Sequence, residues 1–306
     1  MIQTILGANG TIGQVLAKEL KNYTNQIRLV SRNPKKVNET DELFPADLSD
    51  DTMVDKAIEG SGVVYLVVGF DYNIKVWRDK WPKLMKATID ACIKHKAKLV
   101  FFDNIYLYDI KTIGHLSEDS LINAPSKKGL VRQEIAEMLM KEVKANRLTA
   151  LIARAPDFYG PDNEKSILIE VVYKNLLKGQ RPNWFIDATK KHSFIYTPDA
   201  AKATAILGNT LDAFNQVWHL PTDPKALTGQ EWIALFNKEM KTSKKVMVLP
   251  MFMLKLLGVF MPLMREMPEM MYQYDRDYLF DSSKFTSHFN FTPTTYATGV
   301  RQIVTH

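Results

Sequence analysis

The chain has 306 residues, of which 46% are hydrophobic and 24% charged; this suits one large globular domain or two smaller ones and excludes a disordered or fibrous protein. Its 40 Lys and Arg residues against 34 Asp and Glu give a net charge of +6 without any run of five like charges, which argues against a nucleic-acid-binding arm and suits an anionic small ligand. Cys92 is the only cysteine, which excludes disulfides within the chain and cysteine-rich zinc sites and makes a reducing cytoplasm the expected location.

Residues 1–155 alternate short apolar runs with longer segments of helical periodicity, which predicts a parallel sheet with helices on both faces. The predicted strands are Ile2–Leu6, Ile27–Val30, Val63–Val68, Leu99–Phe102, Leu148–Ala153 and a weaker one at Leu43–Ala46. The predicted helices are Thr11–Asn22, Asp50–Ile58, Ile74–Lys96 and Lys128–Asn146. No basic leader precedes the first strand, so we expect no signal peptide.

Beyond residue 156 the alternation gives way to segments punctuated by glycine and proline. We therefore expect a first domain over residues 1–155, to which residues 190–221 return, and a smaller C-terminal substrate lobe formed by residues 156–189 and 222–306.

The segment Val246–Met264 is strongly apolar and long enough to be considered as a membrane span. Pro250, Lys255, Gly258 and Pro262 interrupt it, so no integral membrane segment is predicted. Eight of the 14 methionines lie between Met247 and Met271. We favour a core role for this segment over a ligand lid, and contact with a membrane surface ranks third.

The motif Gly7-Ala8-Asn9-Gly10-Thr11-Ile12-Gly13 follows the first strand and opens the first helix. Glycine at these places allows a tight turn, close approach of a diphosphate to the backbone, and packing of the helix on the strand. The free N–H groups and the dipole of the helix would favour the phosphates. The motif predicts a Rossmann-type dinucleotide site formed by Gly7, Asn9, Gly10, Thr11, Ile12 and Gly13.

The Gly-x-x-Gly-x-x-Gly spacing resembles that of the short-chain dehydrogenase/reductase superfamily. The segments Leu99–Tyr108, Arg154–Pro161 and Ser193–Ala201 are similar to motifs of its extended branch, the NAD-dependent epimerase/dehydratases. The resemblance implies an α/β fold with a doubly wound parallel sheet and a smaller C-terminal substrate lobe. It also implies that the cofactor is contacted by Asp47, Leu48, Val68, Gly69, Ala155 and Asp157.

The end of the second strand bears on the choice of cofactor. An acidic residue there would bind the adenosine ribose and repel a 2′-phosphate, but the chain has Ser31-Arg32. A guanidinium suits a phosphate and a serine hydroxyl can donate to one, so NADP(H) is our hypothesis over NAD(H). The alternative is that Arg32 is a solvated surface residue.

The chain departs from the family at the positions that usually carry out the chemistry. Where most members have Tyr-x-x-x-Lys, it has Lys128 and Arg132, and Asn104 replaces the usual serine or threonine four residues before Tyr108. Arg132 can supply the charge that holds the nicotinamide ribose, and Asn104 can donate a hydrogen bond to a carbonyl oxygen. Lys128 or Tyr108 would then manage the proton.

Further candidates at the same rim are Asp103, Tyr106 and Tyr159. Each of these residues, and Lys128 and Tyr108 as well, has a purely structural alternative in a loop, in the core or at the surface.

The hypothesis is an NADP(H)-dependent oxidoreductase that acts on a carbonyl or hydroxyl group of a small, fairly apolar substrate. One alternative is a non-catalytic NAD(P)-binding sensor or scaffold, and another is an isomerase that uses a bound nicotinamide cofactor transiently. The six histidines form no metal-binding pattern, so no metal is expected, and His192, beside two lysines, is expected at the surface. A homodimer through the helices Ile74–Lys96 and Lys128–Asn146 is an expectation from similar folds.

Overall fold

The computed structural model describes residues 1–164, 166–260 and 265–306. The chain divides into two compact units. The first unit comprises Met1–Tyr106, Lys128–Arg154 and Ala200–Leu220. The second comprises Leu107–Lys127, Ala155–Asp199 and Pro221–His306. The sequence had predicted residues 107–127 as part of the first domain, but they belong to the second unit.

The first unit is built on a seven-stranded sheet in the order β11-β6-β5-β4-β1-β2-β3. The strands are β1 Ile2–Leu6, β2 Ile27–Ser31, β3 Glu42–Pro45, β4 Ser61–Leu66, β5 Lys98–Asn104, β6 Ala150–Ala155 and β11 Val217–His219. The pairings of β1 with β2 and β4, of β2 with β3, of β4 with β5 and of β6 with β11 are parallel. The predicted α/β class and Rossmann-type sheet are confirmed.

Helices cover both faces of this sheet. They are α1 Thr11–Leu20, α2 Asp51–Ile58, α3 Ile74–His95, α4 Lys127–Lys144 and α6 Thr197–Gly208. On one face, Met85 of α3 and Leu139 of α4 join the core that includes Leu66. The neighbouring Tyr65 points to the other face, where a Cβ on Gly208 would lie 2.2 Å from its hydroxyl, so α6 packs closely there.

The second unit has short strands that pair two by two. The parallel pairs are β7 Asp157–Tyr159 with β10 Phe194–Tyr196, and β8 Asn183–Phe185 with β13 Met247–Leu249, and the antiparallel pair is β9 Lys191–His192 with β12 Leu227–Thr228. Among its described residues, this unit also contains a π-helical stretch Leu168–Tyr173 that continues as α5 Lys174–Leu177, then α7 Gly229–Glu239, α8 Met251–Phe260, α9 Ser283–His288 and α10 Tyr296–Thr305.

The methionine-rich segment is only in part the buried core that the sequence suggested, since Met270 and Met271 are buried but one face of α8 is exposed. On α8, Phe252, Leu256 and Val259 are 70%, 61% and 66% exposed, whereas Leu254 is buried. The expectation failed because an apolar helix face has the same sequence pattern whether or not another element covers it. Residues 261–264 of the segment lie outside the described residues. None of the helices in the described ranges combines the length and apolar character needed to cross a bilayer.

Candidate functional site

The glycine turn after β1 is held tightly against neighbouring backbone. Gly7 has a φ of +95°, and a Cβ on it would lie 2.9 Å from the Cα and N atoms of Val68. A Cβ on Gly13 would lie 2.7 Å from the carbonyl oxygen of Gly7, so the first turn of α1 also packs too closely for a side chain. Both positions therefore require glycine for packing and conformation.

Gly10 differs from the other two glycines in its role. It is the N-cap of α1 with an ordinary φ of −72°, and no side chain among the described residues caps the helix there. The backbone N–H groups of the first turn thus keep their donor capacity for an anion, which the helix dipole also favours. Thr11, Ile12 and Gly13 lie in this first turn.

A cavity of about 420 Å³ opens beside this turn, at the carboxyl ends of four adjacent strands. Residues that follow or end β1, β2, β3 and β4 line it, namely Gly7, Asn9 and Gly10, then Ser31 and Arg32, then Asp47 and Leu48, then Val68 and Gly69. The carboxyl ends of neighbouring parallel strands meet at one edge of a sheet, and this is why residues far apart in sequence come together. The sequence predicted every one of these residues as cofactor-binding.

The rim of the cavity near β2 carries a positive side chain, a negative side chain and a hydroxyl group that has no hydrogen-bond partner among the described residues. Arg32 is exposed, and the Oγ of Ser31 is buried without a hydrogen-bond partner among the described residues. Hydrogen bonds from the backbone N–H and the hydroxyl of Ser49 lower the pKa of Asp47, and the charges of Arg32 and Lys80 lower it further. The carboxylate of Asp47 is therefore ionised and oriented.

Two lysines of α3 complete the cavity and were missed by the sequence analysis. Lys80 and Lys83 both line it, and Lys83 pairs with Asp79 at 2.5 Å. Lysines on a helix look like solvated residues in a sequence, and only the fold shows that this helix face borders the strand ends. The spacing of three residues between the two lysines was the one available signal, since it puts them on the same side of α3.

A cluster of buried charged side chains lies around Asp103, near the carboxyl end of β5. Asp103 receives hydrogen bonds from Arg132 Nε at 2.8 Å and from Arg154 Nη2 at 3.1 Å, and all three residues are buried. The guanidinium carbon of Arg132 lies 4.4 Å from the ring centroid of Trp81 and 4.9 Å from that of Phe101. Arg132 thus differs from a residue free to hold a ribose, because its guanidinium is engaged by a carboxylate and by aromatic rings.

The other candidate catalytic residues have different degrees of exposure. Asn104 is half-buried, and its Oδ1 accepts a hydrogen bond from the backbone N–H of Tyr106 at 3.1 Å. Because the amide oxygen is fixed, the Nδ2 group remains the donor that can face a ligand. Lys128 is fully buried with its Nζ 4.5 Å from the ring centroid of Tyr72. Tyr108 is buried and belongs to the second unit.

In the second unit, His192 is buried rather than at the surface as expected. Its Nε2 lies 2.8 Å from Oδ2 of Asp157, and its ring stacks on Tyr274 with a centroid distance of 4.5 Å. Rings of Phe194 and Tyr278 approach it to 4.6 Å each. The carboxylate of Asp157, one of the predicted cofactor ligands, is therefore oriented by a histidine. Ala155, another, is buried at the end of β6.

Comparison with known proteins gives a family match and a set of similar folds. The profile of the NAD dependent epimerase/dehydratase family matches residues 3–218. A search of curated protein sequences finds no significant match.

Three solved structures illustrate the similarity of fold. UDP-glucuronic acid 4-epimerase from Bacillus cereus in complex with NAD has a TM-score of 0.81 at 17% identity, over 100% of this chain and 98% of that one. UDP-glucose 4-epimerase from Thermus thermophilus in complex with NAD has a TM-score of 0.76 at 14% identity, over 100% and 98%. A dTDP-glucose 4,6-dehydratase double mutant from Streptomyces venezuelae with NAD and DAU bound has a TM-score of 0.80 at 13% identity, over 100% and 96%. Identities this low show a shared fold.

Proposed function

The chain belongs to the NAD dependent epimerase/dehydratase family, and on that premise we propose that it is an NADP(H)-dependent oxidoreductase of the epimerase/dehydratase type. Its substrate would be a small, fairly apolar molecule that reacts at a carbonyl or hydroxyl group. The observation that carries the proposal is the cavity of about 420 Å³ beside the glycine turn, with Arg32 at its rim.

The residues around this cavity fit the adenosine half of a nicotinamide dinucleotide. The uncapped first turn of α1 and the backbone at Gly10 suit the diphosphate, and Asp47 with Leu48 suits the adenine. The buried, unpartnered Oγ of Ser31 supplies a hydroxyl beside the place where the ribose would lie. A volume of this size lies within the usual range for small-molecule pockets.

The preference for NADP(H) rests on charge at the end of β2. The similar structures named above hold NAD, but a bound 2′-phosphate would find Arg32 here instead of a carboxylate. A hydrogen bond between charged groups contributes about 1.5–3 kcal/mol, which corresponds to roughly 10–150-fold in affinity. Lys80, which also lines the cavity, adds a second positive charge at the same end.

The bound nicotinamide would supply the acceptor or donor of a hydride, and the chain would orient the substrate and manage a proton. Asn104 is the proposed contact to the substrate oxygen, because its Nδ2 is the donor left after Oδ1 accepts from Tyr106. In the first unit, Lys128 is the proposed proton-managing residue. The roles of Arg132, and of Tyr108, Ala155 and Asp157 in the second unit, stay predictions from the sequence.

A second candidate function is favoured by the burial of these side chains. Lys128, Arg132 and Tyr108 are all buried, and Arg132 is bound to Asp103. A protein that keeps the cofactor cavity while its former catalytic positions serve packing would act as a nucleotide-binding sensor or scaffold. A third function compatible with the same cavity is that of an isomerase that retains its nicotinamide cofactor.

Titration of NADPH and of NADH into the wild-type chain and into Arg32→Ala tests the cofactor proposal. We expect NADPH to bind at least about tenfold tighter than NADH, and Arg32→Ala to abolish this difference while NADH affinity stays within about twofold. Lys35→Ala, which changes an exposed lysine nearby that does not line the cavity, is the matched control. Equal affinities for the two nucleotides, unchanged by Arg32→Ala, would refute the preference for NADP(H).

Absorbance of the reduced nicotinamide separates the three functions. An oxidoreductase consumes NADPH with a member of a panel of aldehydes and ketones, and Asn104→Ala then lowers kcat. An isomerase retains the cofactor through purification without net consumption. Tight binding with neither behaviour supports the sensor and overturns the catalytic proposal.

A further inference from the structure

Helix α8 presents an apolar face to the solvent. Phe252, Leu256 and Val259 follow the spacing i, i+4, i+7, which puts them on one side of a helix, and all three are exposed. Leu254 and Gly258, on the opposite side, are buried. This is the reverse of an ordinary surface helix, whose outward face is polar, and contiguous exposed apolar side chains of this kind mark an interaction surface.

The strand that precedes α8 also exposes apolar side chains. Met247 and Val248 of β13 are also exposed, each by 39%. Arg181 fixes the start of this strand, because its guanidinium donates to the carbonyl oxygens of Lys245 at 3.2 Å and of Val246 at 2.8 Å. We call the exposed side chains of Phe252, Leu256 and Val259 on α8 the apolar patch.

The charged residues between Glu239 and Glu266, the segment that carries the apolar patch, have one sign. Between Glu239 and Glu266 the sequence contains no acidic residue, but it contains Lys241, Lys244, Lys245, Lys255 and Arg265. All four of these lysines are exposed. The segment that carries the patch is therefore positively charged and has no acidic residue of its own.

We propose that the apolar patch and its lysines bind the surface of an anionic lipid bilayer. A helix of ten residues is about 15 Å long, half of what a bilayer span needs, so α8 would lie in the interface with its apolar face inserted about 5–10 Å. Acyl chains would cover the apolar side chains, and anionic headgroups would pair with the lysines.

Charge decides against a second copy of this chain as the occupant. Two copies that met through this patch would bring the lysines of both copies together, and like charges across an interface are unfavourable. An anionic membrane satisfies both features at once, because it offers apolar chains to the patch and negative headgroups to the lysines.

Flotation of the full-length protein with lipid vesicles tests the proposal. The vesicles are pure phosphatidylcholine, or phosphatidylcholine with about 30% phosphatidylglycerol, at low ionic strength and in 1 M NaCl. We expect binding to the anionic vesicles at low salt, with much weaker binding to pure phosphatidylcholine and in 1 M NaCl.

Two variants and a control assign the binding to the patch. Phe252→Glu should reduce partitioning more than about tenfold, and the double variant Lys244→Ser with Lys245→Ser about 25-fold, from about 1 kcal/mol per basic residue. Leu211→Glu changes a leucine that is 78% exposed in the other unit and should leave binding unchanged. Circular dichroism melting checks that each variant is folded.

The opposite outcomes overturn the proposal. The proposal is wrong if the wild-type protein does not float with anionic vesicles at any salt concentration. It is also wrong if Phe252→Glu binds the vesicles as well as the wild-type protein does. If light scattering shows a wild-type dimer that Phe252→Glu converts to a monomer, and no vesicle binding occurs, the patch is a self-association surface instead.

Discussion

Replacing Asp103 by asparagine tests whether the buried ion cluster holds the first unit together. In the wild-type chain the carboxylate of Asp103 receives hydrogen bonds from Arg132 and Arg154, and the side chains of all three are at most 4% exposed. Asp103→Asn keeps the shape of the side chain but removes the negative charge that the guanidinium groups of Arg132 and Arg154 face in the interior. An amide oxygen replaces only part of the lost interaction, because it carries no net charge.

The size of the effect follows from the burial of the cluster. Removing one partner of a buried ion pair destabilises a protein by about 3–5 kcal/mol, and the asparagine, which can still accept a hydrogen bond, should place the loss near the lower end. The first unit has about 150 residues, for which 1 kcal/mol corresponds to about 2–4 °C in Tm. We therefore expect the Tm of this unit to fall by about 6–12 °C.

Differential scanning calorimetry measures the change, with Asp90→Asn as the matched control. Asp90 pairs with Lys86 at 2.5 Å, but both side chains are mostly exposed, so the control should melt like the wild-type chain. A Tm of Asp103→Asn within about 2 °C of the wild-type value would refute the reasoning.

Arg132→Met adds a second readout. The methionine keeps apolar contact with Trp81 and removes the charge. A loss of NADPH affinity that Asp103→Asn does not share would show that Arg132 holds the cofactor directly, whereas equal losses of Tm and affinity in the two variants would identify it as a positioning residue.

Two further predictions concern the cofactor cavity. Gly7→Ala should lower the Tm measurably, because φ is +95° and the new Cβ would lie 2.9 Å from the backbone of Val68. Gly10→Ala, whose Cβ would lie 3.3 Å from the carbonyl oxygen of Gly7, should lower the Tm less and lower NADPH affinity at least about tenfold. Thermal melts and titrations of both variants check this, and unchanged affinity in folded Gly10→Ala would contradict it. Because the pKa of Asp47 is lowered, its carboxylate stays ionised from pH 5 to 8. The protein side therefore adds no pH dependence through Asp47 in this range, and the affinity for NADPH should fall as pH drops through about 6, where a phosphate monoester gains a proton. The affinity for NADH, which has no 2′-phosphate, should stay constant. Titrations across this range measure both affinities, and parallel pH profiles would count against a 2′-phosphate beside Arg32.

The elements of the first unit could be predicted from sequence because their patterns have physical causes. Strands such as β1 and β4 are buried on both faces, so they appear as short uninterrupted apolar runs. Helix α3 was predicted over Ile74–Lys96 and spans Ile74–His95, where the side chain of Asn73 caps its first turn. The second unit could not be predicted in this way, since its strands have two or three residues and show no readable alternation.

The residues of the candidate site also differ in whether the sequence could predict their roles and surroundings. The glycine turn was predictable because its residues meet conformational demands that few side chains satisfy. His192 was not, because its immediate neighbours are lysines and the rings that bury it, among them Tyr274 and Tyr278, come from a distant part of the chain. Burial of a single polar residue is set by such long-range packing, which no local pattern encodes.

The apolar segment around α8 shows that an apolar sequence does not determine what covers its side chains. Phe252, Leu256 and Val259 share a face of α8 in the structure. The hydrophobic effect favours covering such a face equally well with the protein's own core or with another apolar medium. The charge distribution carries the missing information. Five basic residues and no acidic one lie between Glu239 and Glu266, and four of the five are exposed lysines. Exposed charge of one sign attracts partners of the opposite sign. Exposure and charge together therefore favour an external, negatively charged, apolar phase over the interior of the protein.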